Sequence, residues 1–211
     1  MVTLSELYPG GGTQPNIFTI NLIGIGNIAS QFSTFTGLHD GIRLGQESQS
    51  IQEMTFGVWL WVDALLANEQ TILSKSSFFA VSNTDFPLAF NVKTDGKLEL
   101  LLDGGGNFAF DTTLQSVSTM PTNTWTHVGI SYKGGSEGSA SIYVNGTLDN
   151  SVAISHSIIT GSRQISLGIV SFLNNTSDNR RLIGKMFNPF LSFVKDDSLV
   201  SKYYRVTPPL S

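Results

Sequence analysis

The stretch Asn123–Ser151 has the sequence NTWTHVGISYK, then GGSEGS, then ASIYVNGTLDNS. From Thr124 to Tyr132 every second residue suits a hydrophobic core, which predicts a strand with one core face. The polar, glycine-rich segment Lys133–Ser139 predicts a loop. Asn145 and Gly146 tolerate positive φ, as a type I′ turn requires. Three consecutive antiparallel strands are therefore expected from this stretch alone.

Similar patterns along the rest of the chain predict further strands and very little helix. The most apolar segment is Met54–Val62, whose alternate positions are apolar on both sides, so both of its faces are expected to be covered. A hairpin is expected over Phe86–Leu102, and Asp197 to Tyr204 are expected to form one short helix that packs on the sheets. About a dozen strands without long exposed edges favour an all-β fold, a two-sheet antiparallel β-sandwich of the jelly-roll type with one short C-terminal helix.

Composition narrows the classes of function. The 211 residues are 40% hydrophobic but only 13% charged, with a net charge of −4, so no basic surface is expected and nucleic acid is not a predicted partner. The chain has no cysteine, which excludes disulfides and thiolate chemistry. No apolar run approaches the roughly 20 residues of a membrane span, so membrane insertion is not expected. Its first residues lack the pattern of a classical secretory leader, which predicts synthesis in a cytosol.

Several motifs resemble one family. Trp125–Val128 followed by Ile142–Gly146 resembles the W-x-H-V and Y-V-N-G hairpin of laminin-G-like, concanavalin-A-like jelly rolls. Matches to other strands of that family follow in the expected order, at Met54–Leu60, Thr71–Lys75 and Leu182–Leu199. The resemblance covers roughly 29–204, and it implies a laminin-G-like β-sandwich domain over 29–211 preceded by an N-terminal arm or anchoring strand over 1–28.

The N-terminal arm allows two interpretations. Asn16–Ile28 alternates between apolar and polar residues, which predicts a strand. In the first interpretation this strand adds to the sheet of a neighbouring subunit, and the predicted assembly contacts are Ile17, Phe18, Ile20, Leu22 and Ile23. In the second it is an edge strand of the same sandwich. Gly24–Ala29 matches a dinucleotide-binding pattern, but no parallel βαβ unit follows, so no cofactor is expected.

Catalysis is not expected. Glucan-hydrolysing members of the superfamily carry acidic residues alternating on one strand. The nearest spacing here is Glu99 with Asp103, which we interpret as a solvated strand face and a turn aspartate. Among His39, His127 and His156, only His39 has a carboxylate at metal-ligand spacing, in the turn pair His39-Asp40, and no G-x-S-x-G nucleophile elbow is present. These patterns predict a protein that is not an enzyme.

Metal binding is not expected either. Many relatives hold calcium with rim carboxylates, and the resemblance, aligned on Gly184, places Phe187 and Asn188 where the family has an acidic pair. A sugar would instead be bound by an aromatic ring with amide and carboxylate groups beside it. The predicted ligand-binding residues are therefore Phe172, Asn174, Asn175 and Asp178, in an Asn-rich loop.

Three functions remain open. The first is a non-catalytic structural or attachment module of a large assembly, a decoration, fibre or tail protein of a viral or bacteriophage particle. Such a protein would be made in the host cytoplasm and located in the virion, with other subunits, including further copies of itself, as partners. The second is a lectin-like domain that binds a cell-surface glycan. The third, more remote, is a glycan hydrolase.

Overall fold

In the computed structural model, the residues described are 17–19, 33–36, 42–47, 51–76, 87–103, 111–156, 163–169 and 180–208. They form thirteen strands and one helix. In chain order these are β1 (Ile17–Thr19), β2 (Ser33–Thr36), β3 (Ile42–Glu47), β4 (Glu53–Val62), β5 (Gln70–Ser76), β6 (Leu88–Val92), β7 (Lys97–Leu102), β8 (Thr112–Thr119), β9 (Thr126–Lys133), β10 (Gly138–Val144), β11 (Thr147–Ile154), β12 (Arg163–Leu167), β13 (Ile183–Ser192) and α1 (Asp197–Tyr204).

The strands form two antiparallel sheets. The seven-stranded sheet has the order β1-β13-β4-β9-β10-β11, with β2 also paired to β13, and the six-stranded sheet has the order β3-β12-β5-β6-β7-β8. Every described pairing is antiparallel. The predicted two-sheet β-sandwich with one short helix is thereby confirmed.

The main core lies between the two sheets. Alternate residues of β4, among them Phe56, Val58 and Leu60, are buried in one cluster with Leu98 and Leu100 of β7. Each such side chain contributes roughly 1.5–3 kcal/mol when it is fully buried. Because side chains alternate along a strand, the residues between these core positions point to the outer face of each sheet.

The predicted hairpin turn is also confirmed. Asn145 and Gly146 have φ values of 50° and 74°, as a type I′ turn requires. The Asn145 side chain adds a second function, since its Oδ1 accepts a hydrogen bond from the backbone N–H of His127 at 3.1 Å. The turn therefore fixes the register of β10 and also holds the start of β9.

Strand β9 departs from its predicted pattern because both of its faces are buried, not one. Helix α1 covers the outer face. The helix begins after Asp196, whose carboxylate accepts a hydrogen bond from the N–H of Ser198 at 3.0 Å, and it buries Leu199 and Val200. The approach is close, since a Cβ on Gly129 would lie 2.9 Å from the Val200 side chain. A segment that follows β9 by some seventy residues thus creates the second core face.

Strand β1 agrees with the second interpretation of the N-terminal arm. Its residues Ile17 and Phe18 pair with Ser192 and Leu191 of β13 in the same chain. Of the other predicted assembly contacts, Ile20, Leu22 and Ile23 lie outside the described residues, as does the predicted boundary between 28 and 29. The part of the arm that is described therefore forms an edge strand of this sandwich, and a contact between that edge and another subunit stays a prediction.

Candidate functional site

A row of polar side chains crosses the outer face of the six-stranded sheet. The strand register places Thr71 of β5 opposite Asn91 of β6, Asn91 opposite Glu99 of β7, and Glu99 opposite Gln115 of β8. Directly opposed residues project from the same face of a sheet, with Cβ atoms about 5 Å apart. Glu69 lies two residues before Thr71 and Lys93 two residues after Asn91, so both extend the row on the same face of the sheet. These six residues are called the polar cluster below.

Hydrogen bonds hold the polar cluster around the Glu99 carboxylate. Its Oε1 atom lies 3.0 Å from Lys93 Nζ and accepts a hydrogen bond from Gln115 Nε2 at 2.9 Å. Asn91 Nδ2 donates to Glu69 Oε2 at 3.4 Å. Charge-assisted bonds of this kind are roughly twice as strong as neutral ones, so they fix the positions of the side chains before any ligand arrives.

Strand β8 is held in place from the neighbouring sheet. The backbone carbonyl of Gln115 accepts a hydrogen bond from Asn150 Nδ2 of β11 at 2.8 Å, and Asp149 Oδ2 accepts one from the N–H of Val117 at 2.5 Å. These side chains join the edges of the two sheets where no backbone ladder is formed. Gln115 therefore lies on an edge strand whose backbone is held in place by side chains of β11.

Two buried members of the polar cluster have an atom without a partner. Thr71 is 0% exposed and Asn91 is 1% exposed, and neither Thr71 Oγ1 nor Asn91 Oδ1 makes a hydrogen bond. A buried polar group without a partner costs about 1–3 kcal/mol. Glu69, Lys93 and Gln115 beside them are half-buried. The cluster thus combines unused hydrogen-bonding capacity with groups that solvent reaches, as expected for a binding site.

The two carboxyl groups of the polar cluster affect one another. Burial raises the pKa of Glu69 and the nearby charge of Glu99 raises it further, while Lys93 and Arg180 act in the opposite direction. The hydrogen bond to Glu99 raises the pKa of Lys93 and keeps this side chain cationic. The Lys93 ammonium therefore neutralises the Glu99 carboxylate, 3.0 Å away.

The interpretation of Glu99 as part of a solvated strand face was wrong, since Glu99 is 5% exposed and its carboxylate contacts Lys93 and Gln115. Asp103, interpreted as a turn aspartate, directly follows β7 and is 0% exposed. The acidic partner that sequence reasoning missed is Glu69, two strands away. The predicted hairpin over Phe86–Leu102 indicated part of this cluster, because its register places Asn91 opposite Glu99.

The Glu69 and Glu99 carboxyl groups are near enough for the charge of Glu99 to raise the pKa of Glu69. A retaining glycoside hydrolase places an acid and a nucleophile on either side of the glycosidic bond. In the polar cluster Glu99 instead accepts hydrogen bonds from Lys93 and Gln115, and Glu69 accepts one from Asn91. This arrangement is suited to hydrogen bonding with hydroxyl groups.

The positions predicted from the sequence have different outcomes. Phe172, Asn174, Asn175 and Asp178 lie outside the described residues, so their role in ligand binding stays a prediction. At the two positions aligned with the family's acidic pair, Phe187 packs edge-on against Trp125, with ring centroids 6.5 Å apart, and Asn188 adopts a φ of 51° in a bulge of β13. Among the described residues no group of three or more His, Cys, Asp or Glu side chains is arranged to hold a metal.

A cavity of about 320 Å³ opens elsewhere on the molecule. It lies where β8 begins and β11 ends, and its most distinctive group is His156, whose Nε2 atom is 2.8 Å from Thr112 Oγ1. The other residues lining it are Asp111, Ser136, Ala153, Ile154 and Ser155. The cavity is a second location at which a small ligand could bind.

Within the part of the chain that the structure describes, no helix is long and apolar enough to cross a membrane.

Comparisons with known proteins address the fold. A family model described as the Concanavalin A-like lectin/glucanases superfamily matches residues 25–185. A comparison with curated proteins found no match. A heptameric SAP-like pentraxin from Limulus polyphemus has a similar structure, with a TM-score of 0.61 and 18% sequence identity over 83% of this chain and 82% of the pentraxin chain.

Two carbohydrate-binding structures are similar as well. Domain 4 of AbnA, an extracellular arabinanase from Geobacillus stearothermophilus solved in complex with arabinotriose, has a TM-score of 0.58 and 16% identity over 92% of this chain and 82% of that domain. The CBM40 of a Ruminococcus gnavus sialidase, bound to α2,3-sialyllactose, has a TM-score of 0.58 and 13% identity over 77% and 95%. At these identities the likeness shows the shared sandwich fold.

Proposed function

Given that this chain belongs to the concanavalin A-like lectin/glucanase superfamily, we propose that it is a non-catalytic glycan-binding domain whose polar cluster holds the sugar. The observation that carries the proposal is the unused capacity of Asn91 Oδ1 and Thr71 Oγ1 beside half-buried charged groups. A sugar hydroxyl group donates and accepts at the same time. It can donate to the half-buried Glu69 carboxylate while it accepts from Lys93 or Gln115.

The similar structures support binding over assembly as the primary function. Two of them are carbohydrate complexes, whereas none of the three similar structures supports a viral structural role. Location in a virus particle stays a prediction. The heptameric pentraxin is consistent with an oligomer of identical chains, which would raise avidity for a repeated glycan without any new contact.

We expect the protein to bind glycans on an array, and two substitutions in the polar cluster to weaken that binding. Lys93→Met and Gln115→Ala each remove a half-buried donor. A hydrogen bond contributes about 0.5–3 kcal/mol, with the upper part of the range for bonds to charged groups, which corresponds to a loss of roughly 2- to 150-fold in affinity. Isothermal titration calorimetry with the best array ligand measures this loss, and circular dichroism verifies that the variants are folded.

Glu137→Gln is the matched control, because Glu137 is exposed in the loop between β9 and β10 and its replacement should leave affinity unchanged. His156→Asn tests the cavity near β11 as an alternative location. If the array shows no ligand, or if affinity falls with His156→Asn and not with the two cluster variants, the proposed site is refuted.

A further inference from the structure

We infer that the polar cluster selects uncharged glycans and rejects sugars that present a carboxylate to it. The inference rests on the proposed glycan-binding function and adds the class of ligand. The fold leaves this choice open, since similar sandwiches hold a neutral arabinan fragment in one case and a sialylated sugar in another. The side chains of the polar cluster resolve it through their charges and through the balance of donors and acceptors.

The lysine of the polar cluster is already used within the protein. Lys93 Nζ lies 3.0 Å from Glu99 Oε1, and the Glu99 side chain is almost fully buried. The Lys93 ammonium has three donors but only one positive charge, and that charge already neutralises Glu99. An acidic sugar would have to share it with a buried carboxylate, whereas a hydroxyl group needs only one of the remaining N–H donors, so Lys93 is a better donor to a neutral ligand than a receptor for a ligand carboxylate.

The surroundings of Glu69 indicate how a further carboxylate would be received. Burial and the charge of Glu99 raise the pKa of Glu69, and the opposing effects of Lys93 and Arg180 do not reverse that direction. A sugar carboxylate that reached the same place would be desolvated in the same way and repelled by two carboxyl groups rather than one. The cluster therefore disfavours a third negative charge.

The acceptors of the polar cluster point to the same class of ligand. The half-buried Glu69 carboxylate is an acceptor, and Asn91 Oδ1 and the Glu99 carboxylate beside it are acceptors too. An ionised carboxylate has no hydrogen to donate, whereas every sugar hydroxyl has one. A neutral glycan can thus satisfy acceptors that an acidic group would leave unpaired.

The expected discrimination is on the order of tenfold or more. Repulsion between two like charges about 4 Å apart weakens binding by roughly fivefold in bulk water and by about several hundredfold near a protein surface. Since part of this repulsion is screened by salt, the preference should narrow as ionic strength rises.

The test compares neutral glycans with acidic counterparts, and the oligogalacturonide pair differs only at the carboxyl groups. Affinities are measured for lactose against 3′-sialyllactose, for methyl-esterified against de-esterified oligogalacturonides, and for a wider panel of neutral glycans, at low and high salt. For each pair of ligands in which binding is detected, we expect a higher affinity for the neutral member. Glu69→Gln should narrow the preference by about tenfold, while Glu137→Gln, which makes the same change of charge in an exposed loop, should leave it as it is.

The outcomes separate this inference from the function on which it rests. If no glycan of either kind binds, the proposed function fails and the selectivity fails with it. If glycans bind but the acidic member of a pair is preferred, or if Glu69→Gln and Glu137→Gln change the preference equally, the selectivity is overturned while glycan binding stands. In the unmodified protein, a preference that narrows as ionic strength rises supports the charge-based part of the mechanism.

Discussion

Lowering the pH from 7 to 4 is expected to remove about 3 kcal/mol from the free energy of unfolding through His127 alone. The His127 side chain is 0% exposed, and neither ring nitrogen makes a hydrogen bond. Trp59 packs edge-on against it with ring centroids 5.4 Å apart, and Tyr204 of α1 lies 5.9 Å away. Burial lowers the pKa of His127 from 6.5 to about 4.

The sign follows from which state binds the proton. Between pH 6.5 and about 4 the unfolded chain has a protonated His127 and the folded protein does not. The unfolded state therefore binds more protons, and stability falls as the pH falls. The contribution is fully present above pH 6.5 and is lost on acidification to about pH 4.

Urea denaturation at pH 7 and at pH 4 measures the effect. His127→Phe keeps a ring in place and removes the titrating group, so its stability should change much less over this interval than that of the unmodified protein, whatever the substitution costs at pH 7. His156→Phe is the control, because His156 lies outside this aromatic contact and its Nε2 atom has a partner; the acid sensitivity due to His127 should persist in it. If the free energy of unfolding fell equally in the His127→Phe variant and in the unmodified protein between pH 7 and pH 4, His127 would not be the source of the acid sensitivity.

The features predicted correctly from the sequence are those that depend on neighbouring residues. The turn at Asn145 and Gly146 follows from local backbone preference, and the strand pattern of Met54–Val62 follows from alternation. The second buried face of β9 could not be predicted in this way, because Val200 and Tyr204 cover it from the other end of the chain. Long-range packing, and not local chemistry, makes a histidine and a glycine on that strand part of a core.

The candidate site was missed for a related reason. A local sequence pattern describes one strand at a time, and within its own strand Glu99 has no acidic residue close enough to interact with it. Three strand pairings bring Thr71, Asn91 and Gln115 into line with it. The β6–β7 pairing was within reach of sequence reasoning, since the hairpin was predicted, but the position of β5 beside β6 depends on how the whole six-stranded sheet is ordered.

Replacing Gly184 with alanine is expected to be among the most damaging single substitutions in the domain. Gly184 lies in β13 between two partner strands, opposite Phe35 of β2 and Val62 of β4. A Cβ at this position would overlap the backbone carbonyl oxygen of Trp61, and the Trp61 carbonyl carbon and Val62 Cα would lie 3.0 and 3.2 Å away. These are backbone atoms of a central strand, so no side-chain rotation can relieve the overlap.

Relief requires β4 and β13 to move apart, although their pairing joins β1 and β2 to the rest of the seven-stranded sheet. Overpacking a core costs about 1–3 kcal/mol and occasionally more. A cost at the upper end of this range or above it is expected here because backbone is displaced.

Urea denaturation measures the loss of stability in Gly184→Ala, with Gly135→Ala as the control. Gly135 has a φ of 97°, and a Cβ added there would meet no atom within 4 Å, so that variant isolates the conformational cost, about 1–2 kcal/mol. Gly184→Ala should lose clearly more; a loss no greater than that of Gly135→Ala would mean that β4 does not lie against β13 in this register.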